Sequence, residues 1–290
     1  MDFAALSPYM KPIDVSSHPE FDDHEAVLEI NDPRGLHAFI AIHRSFFHPH
    51  LNRLSTLGGT RMGDQDDYPT RNAAITDVLR LSGKGMTKKA ALAGTDFGGA
   101  KAVIITKLGE RGAPPDKRMR KILEAYSRYL AMLNGAFVTA EDMNFPEEYL
   151  TFMRTHTNWV AGFGKEAGGS GNPSPFTAYG VFVGLKRCLL ERFGTANVSN
   201  FSFAVQGVGG VGLHTALLLK KAGARLIIAD TDEGQLRRAK EALGEIPVVH
   251  PENIYKEEVD VFVPCAKGAI LNENSITELK CSIVAGGANN

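Results

Sequence analysis

Cysteine is scarce: Cys188, Cys265 and Cys281 are all that 290 residues hold, and none stands in a Cys-x-x-Cys pair. A disulfide framework is therefore excluded, and a reducing compartment, the cytoplasm, is the expected setting. Neither sign of charge prevails, with 32 Lys and Arg against 33 Asp and Glu and a formal net charge of −1. Without a basic surplus no nucleic-acid partner is expected, because sequence-independent affinity for polyanions comes from neutralising phosphates. The short basic run Lys117, Arg118, Arg120, Lys121 stands beside Glu124 and ahead of Leu130, Met132 and Leu133, and reads as the solvated face of a helix. Long apolar runs are missing too. No window approaches the roughly 18 apolar residues of a membrane span, and Asp2 stands where a leader would be basic, so no membrane partner is expected. His43, His48 and His50 cluster without His-Glu-x-x-His or similar spacing, and no metal site is expected.

What remains is a globular composition, 43% hydrophobic and 22% charged, in a chain long enough for two domains. Glycine distribution divides it. The second part begins near Gly162, in the turn-rich stretch Gly-Phe-Gly-Lys-Glu-Ala-Gly-Gly-Ser-Gly-Asn-Pro-Ser-Pro. A helix follows over 177–192, with Val181, Leu185, Leu189 and Leu190 near helical spacing. Then come a strand over 201–206, a helix carrying Leu213, Ala216, Leu217 and Leu219, a strand over 226–229, a charged helix over 233–243, and strands over 259–263 and 282–285. Strands alternating with helices predict a doubly wound parallel sheet. The first part mixes strands at 26–30 and 38–42 with helices at 72–81 and 118–133. The expected fold is α/β in two domains, 1–161 and 162–290.

Gly207-Val208-Gly209-Gly210-Val211-Gly212 matches the Gly-x-Gly-x-x-Gly fingerprint. Placed between a strand and a helix, its glycines serve a tight turn, close approach to a pyrophosphate, and close packing of helix on strand. Packing alone is the competing reading. Asp230 ends the next strand, roughly 20 residues on, where a ribose-binding carboxylate belongs. A carboxylate there accepts from a 2′-hydroxyl and repels a 2′-phosphate, so NAD is favoured over NADP. Arg225, Arg237 and Arg238 leave room for a softer preference.

A second glycine-dense turn, Gly94-Thr-Asp-Phe-Gly-Gly-Ala-Lys101-Ala-Val-Ile-Ile, puts a lysine on the start of an apolar strand. Small and apolar neighbours would strip water from the Lys101 ammonium and lower its pKa, which suits a general base near neutral pH.

Leu57-Gly-Gly-Thr-Arg-Met62, Asp77-Val-Leu-Arg-Leu-Ser, Gly85-Met-Thr-Lys-Lys89-Ala-Ala-Leu-Ala-Gly94 and Gly98-Gly-Ala-Lys101 resemble the glutamate, leucine, phenylalanine and valine dehydrogenase family. The resemblance continues through Thr139-Ala-Glu-Asp142, Gly171-Asn-Pro-Ser-Pro-Phe-Thr177, the fingerprint, Pro264-Cys-Ala-Lys-Gly-Ala and Ala285-Gly-Gly-Ala-Asn-Asn290, and is greatest to the leucine dehydrogenase branch. It implies reversible oxidative deamination of an L-amino acid with NAD and water, giving a 2-oxo acid, ammonia and NADH. An N-terminal substrate and oligomerisation domain, a Rossmann NAD domain and a homo-oligomer are implied with it. Residue by residue, Lys89 matches the lysine that holds the substrate carboxylate, with Met86 and the backbone of Gly58 and Gly59 beside it. Lys101 matches the catalytic lysine that activates water, and Asp142 the group that moves protons at the amino nitrogen. Thr177 matches the threonine near the nicotinamide amide, Cys265 and Ala266 line the cofactor, and Asn289 bridges cofactor and substrate. Read without the resemblance, Asp142 is as well a helix cap ahead of Pro146 and Glu147. Leu57 and Ala140 occupy wall positions. Both are apolar, which fits a branched-chain side chain and disfavours glutamate, whose recognition needs a buried positive charge.

Three departures accompany the resemblance. The chain ends directly after the last motif, where the family pattern continues, so the nucleotide domain is expected to be incomplete. The alternative to a working enzyme is then a weak or inactive truncated homologue that still binds NAD and oligomerises. Residues 44–55 form a longer segment than the family has, and Gly83 is one extra residue ahead of Lys84-Gly85-Met86, a register change that bears on Met86 and Lys89. Lys88 stands where an aromatic residue is common.

Overall fold

A computed structural model describes residues 7–108, 114–266, 268 and 270–289, which fall into two packed units, Met1–Asn172 and Pro173–Asn290. The mixed sheet of the first unit has seven strands: β1 (Met10–Pro12), β2 (Ala26–Asp32), β3 (Leu36–Arg44), β4 (Phe46–His48), β5 (Arg53–Gly63), β6 (Gly98–Ile105) and β7 (Phe137–Ala140). β1 to β3 meander antiparallel and β6 joins β3 antiparallel, whereas β5 runs parallel to both β6 and β7. Strand alternation gives this sheet two apolar faces. One is covered by α3 (Lys117–Leu133), whose Ile122, Tyr126, Leu130 and Leu133 meet Leu28, Ile40, Ala102 and Phe137. The other takes α1 (Arg71–Arg80) through Ile75, Val78 and Leu79 against Phe39 and Val103. Each helix begins on a capping side chain, Thr70 accepting from the Ala73 N–H and Asp116 from the Met119 N–H.

α1 runs on into a π-helical turn, Leu81–Thr87, and then α2 (Lys88–Ala93). A π turn takes up more residues than an α turn. Gly83 is thus housed inside a continuous helical run, with Met86 in the π turn and Lys89 in α2. The turn lies against Gly99 of β6, where any side chain would collide with Thr87. It is pinned by two histidines: His43 bonds the Thr87 hydroxyl at 2.9 Å, and His24 bonds the Ser82 hydroxyl at 2.9 Å. His43 is therefore engaged away from His48, which packs at a tilt against Phe97. Among the described residues no group of three or more His, Cys, Asp or Glu is arranged to hold a metal ion.

Residues 162–172 fold with the first unit instead of opening the second. Gly164 N–H donates to the Thr151 hydroxyl, Gly171 N–H to the Phe163 carbonyl, and Phe163 packs on the α3 core. α4 (Glu147–Arg154) precedes this stretch.

The second unit consists of α5 (Ser174–Phe193), β8 (Ser202–Gln206), α6 (Gly210–Lys221), β9 (Arg225–Ala229), α7 (Glu233–Leu243), β10 (Val261–Pro264), α8 (Glu273–Ile276) and β11 (Ile283–Val284). Its strands are all parallel, in the order β11-β10-β8-β9. Phe203, Val205, Ile228 and Val263 of the sheet pack with Leu185, Ala216, Leu219 and Leu236 of its helices. This is the α/β architecture the alternation predicted, and the chain's order of strands reverses at β8. Among the described residues no helix is long and apolar enough to cross a membrane.

Candidate active site

In the first unit, the parallel strands β6, β5 and β7 run side by side, and their alternation brings distant residues onto one face. Leu57, Gly59 and Arg61 are alternate residues of β5, and register pairs Leu57 with Gly99 and Val138, and Gly59 with Ala140. Lys101 follows Gly99 by two positions on β6 and is only 3% exposed. Asp142, two residues past the end of β7, folds back over β5. A side chain on Gly59 would meet the Asp142 Cβ and Oδ2 at 2.7 Å, so only glycine leaves space for that carboxylate.

The Lys101 Nζ donates to Asp142 Oδ2. Asp142 Oδ1 accepts from Arg61 Nε at 2.9 Å and from the Met143 N–H at 2.7 Å. The other edge of the Arg61 guanidinium donates through Nη1 to both oxygens of Asp77, at 3.1 and 2.9 Å, and Tyr68 OH donates to Asp77 Oδ2 at 2.9 Å. Lysine, aspartate, arginine and aspartate thus alternate in charge. Burial holds Lys101 below its ordinary pKa, with Arg61 adding to the fall and Asp142 opposing it. Burial works to raise Asp142, but Lys101 and Arg61 outweigh it and hold the carboxyl below its usual range. A lysine poised to lose its proton beside an ionised carboxylate can exchange protons with a substrate, and the two titrate as a pair. Asp142 is not the cap of α4, whose N-cap is Pro146.

Of the other residues singled out in this unit, Leu57, Ala140 and Met86 are half-buried, Gly58 is buried, and Lys89 is exposed on α2. Pairing brings Leu57, Gly59, Lys101, Ala140 and Asp142 together. Met86 and Lys89 lie on the helical run that packs at Gly99, two residues before Lys101. Sequence reasoning passed over Arg61 and Asp77, although both stand in quoted motifs; the alternation of Leu57, Gly59 and Arg61 is the signal that would have found the arginine. Glu141 was also missed. Its Oε2 is buried without a hydrogen-bond partner among the described residues, and burial, then Glu147, Glu148 and Asp142, push its carboxyl up to about 7.

In the second unit, the segments after β8, β10 and β11 meet at the carboxyl ends of the strands, where doubly wound sheets bind ligands. Gly207 has φ +84°, and a side chain there would meet Ala266 at 2.8–2.9 Å; one on Gly212 would collide with the Gly207 carbonyl. Gly209, by contrast, opens onto space and is the N-cap of α6 with no side-chain cap bond, so a ligand can approach the helix N-terminus closely. Val208 N–H and Asp232 N–H donate to Asp230 at 2.7 and 2.9 Å, which fixes the carboxylate beside the turn. Val211 lies close to Gly287, and Gly268 to Asn289, whereas Asn290 lies outside the described residues. Thr177 is exposed in the first turn of α5, and Ser174 of the same turn approaches Gly210. Burial raises the Cys265 thiol, which is thereby no reactive thiolate. The bare helix terminus, the glycine turn and the adjacent carboxylate fit a dinucleotide's pyrophosphate and ribose.

Residues 24–159 match the dimerisation domain of the Glu/Leu/Phe/Val dehydrogenases. The leucine dehydrogenase of Bacillus cereus is 41% identical over 279 residues, which span 96% of this chain and 72% of that one. The phenylalanine dehydrogenase of Lysinibacillus sphaericus is 40% identical over 275 residues, 92% of this chain and 68% of its own. Among solved structures, L-tryptophan dehydrogenase from Nostoc punctiforme is similar with a TM-score of 0.61 at 34% identity, covering 92% of this chain and 71% of that one.

Proposed function

Since this chain belongs to the Glu/Leu/Phe/Val dehydrogenase family, we propose that it catalyses the NAD-dependent, reversible oxidative deamination of an apolar L-amino acid to its 2-oxo acid, releasing ammonia. The observation that carries this reading is the buried Lys101 of β6 paired with Asp142, just past the end of β7. NAD, when bound, supplies the acceptor for the hydride that leaves the substrate's α carbon. Gly207 to Gly212 and the α6 N-terminus would hold its pyrophosphate, Asp230 its ribose, and Thr177, Cys265, Ala266 and Asn289 would contact the rest. Units 1–161 and 162–290 of the sequence reading become, on this view, a substrate domain and a dinucleotide domain, with the boundary moved to the end of residue 172.

In the forward direction Lys89 holds the substrate carboxylate, with Met86 and the backbone of Gly58 and Gly59 beside it. Asp142 takes a proton from the substrate ammonium, leaving an amine whose lone pair assists loss of the hydride. Neutral Lys101 then takes a proton from water as its oxygen attacks the imino carbon. Lys101 passes that proton to solvent, and Asp142 returns its own proton to the carbinolamine nitrogen. As the carbon–nitrogen bond breaks and ammonia leaves, neutral Lys101 takes the hydroxyl proton, so that the oxo acid remains. Leu57 and Ala140 give the side-chain wall no charge, which favours leucine, valine and isoleucine, leaves phenylalanine and other bulky apolar amino acids open, and disfavours glutamate. Substrates one methylene apart differ by only about 1–3 kcal/mol in such a pocket, so mixed branched-chain activity is expected. The dimerisation domain matched by the first unit supports assembly as a homo-oligomer.

The test is NADH formation at alkaline pH with L-leucine, L-valine, L-phenylalanine and L-glutamate. The proposal expects turnover on the branched-chain substrates and none on glutamate. NADH binding without turnover on any of them would leave a catalytically inactive homologue.

A further inference from the structure

We propose that Arg61, seated on Asp77, is a positioning residue of the proposed Lys101–Asp142 pair: it occupies Asp142 Oδ1 and so confines proton exchange to Oδ2. The proposal deepens the dehydrogenase reading and rests on it for its meaning in catalysis. Its geometry, however, stands on contacts within the first unit.

Asp142 Oδ1 accepts two bonds, from Arg61 Nε and the Met143 N–H. Those bonds take up the oxygen's lone pairs and fix the plane of the carboxylate. Oδ2, which faces Lys101, is the oxygen left to exchange a proton. Arg61 is well suited to this, because its planar fork reaches two carboxylates at once with donors in fixed directions, which an ammonium cannot do. Its own position is settled from behind. Asp77 on α1 receives Nη1 with both oxygens, Tyr68 donates to Asp77, and Arg80 lies 3.8 Å from it. With side chains only 14% and 13% exposed, Arg61 and Asp77 are largely removed from water, and each needs the other.

The groups facing the pair are Arg61 from β5, Asp77 from α1 and Glu141 from the segment after β7, while Arg80 of α1 and Tyr68 of the segment before it stand behind them, against Asp77. Their signs give the proposal a signature that a structural role lacks. Arg61 is a cation that disfavours a second charge on Lys101, and Asp77 is an anion that favours it. Removing them should move Lys101 in opposite directions.

The experiment is a pH titration of the Lys101 side chain by NMR on the full chain with 15N-labelled lysine, Lys101→Ala assigning the resonance. Arg61→Gln should shift its midpoint up by about one pH unit, and Asp77→Asn should shift it down. Arg61→Lys, which restores the charge without the fork, should return the midpoint toward wild type while lowering kcat about tenfold or more with little change in KM. An unchanged midpoint in both charge-removing variants, or shifts of the same sign, would overturn the proposal. Should Arg61→Gln not fold, a downward shift in Asp77→Asn with a wild-type-like midpoint in Arg61→Lys supports it, and no shift in Asp77→Asn contradicts it. Failure of the dehydrogenase reading is separate: it would show as wild-type protein without NADH formation, while the titration shifts stood.

Discussion

The carboxylate of Asp142 rests on the bare backbone of Gly59, with Oδ2 2.7 Å from where the first side-chain carbon of any other residue would be. The second glycine of Leu57-Gly-Gly is therefore a packing requirement of the aspartate. Gly59→Ala should displace Asp142 from Lys101 and Arg61, lowering kcat at least tenfold and stability by about 1–3 kcal/mol, as overpacking does. Steady-state kinetics and denaturant unfolding check it; wild-type kcat would show that the carboxylate need not lie there.

Lys101 must be neutral to accept a proton from water, and its burial lowers its pKa from the ordinary 10.5. A lowered pKa means that the base form accumulates from a lower pH. The deamination rate should thus rise with pH along a limb whose midpoint lies below 10.5. A profile of kcat/KM against pH measures that midpoint. A limb centred at or above the ordinary lysine value would remove Lys101 from the role of base.

Asp230 accepts two backbone N–H groups, from Val208 and Asp232, and keeps a negative charge beside the glycine turn. Asp230→Ser retains an acceptor but removes the charge. The ratio of NADPH to NADH affinity should rise about tenfold or more in that variant, read by fluorescence titration. An unchanged ratio would place the discrimination elsewhere.

His24 supports the π turn from a site where burial, the carbonyl of Leu79 and the nearby His43 ring set its proton affinity. Burial, with His43, lowers its pKa from 6.5 to about 4, against the Leu79 bond that works to raise it. The unfolded chain therefore binds this proton more readily. Stability from His24 is whole above pH 6.5 and is lost as pH falls through 4. Thermal unfolding should show Tm dropping across that window, and His24→Gln should flatten the drop. An equally steep fall in the variant would assign it to other groups.

The second unit was legible because its sheet is built from short apolar runs bounded by glycine and charge: residues 226–229 end at Asp230, and 233–243 carries its charges at helical spacing. β5 was not legible. Gly58, Gly59 and Gly63 interrupt its apolar alternation, and they do so because the β6 backbone presses on the first, the segment after β7 on the second and the Tyr68 and Asp67 side chains on the third. The four residues of β7 are too few to show a period. Lys101 and Asp142 were named from local motifs, but the Arg61–Asp77 link was invisible, since it exists only where α1 packs over the sheet. Gly83 was visible as an extra residue, and only the backbone reveals that a π turn accommodates it.

The most direct test of the account is a comparison of wild type and Lys101→Ala, with NADH formation from L-leucine followed at alkaline pH and NADH binding measured in parallel by fluorescence. The account predicts turnover in the wild type, its loss by about a hundredfold or more in the variant, and equal NADH binding in both. Turnover that survives the substitution would contradict it.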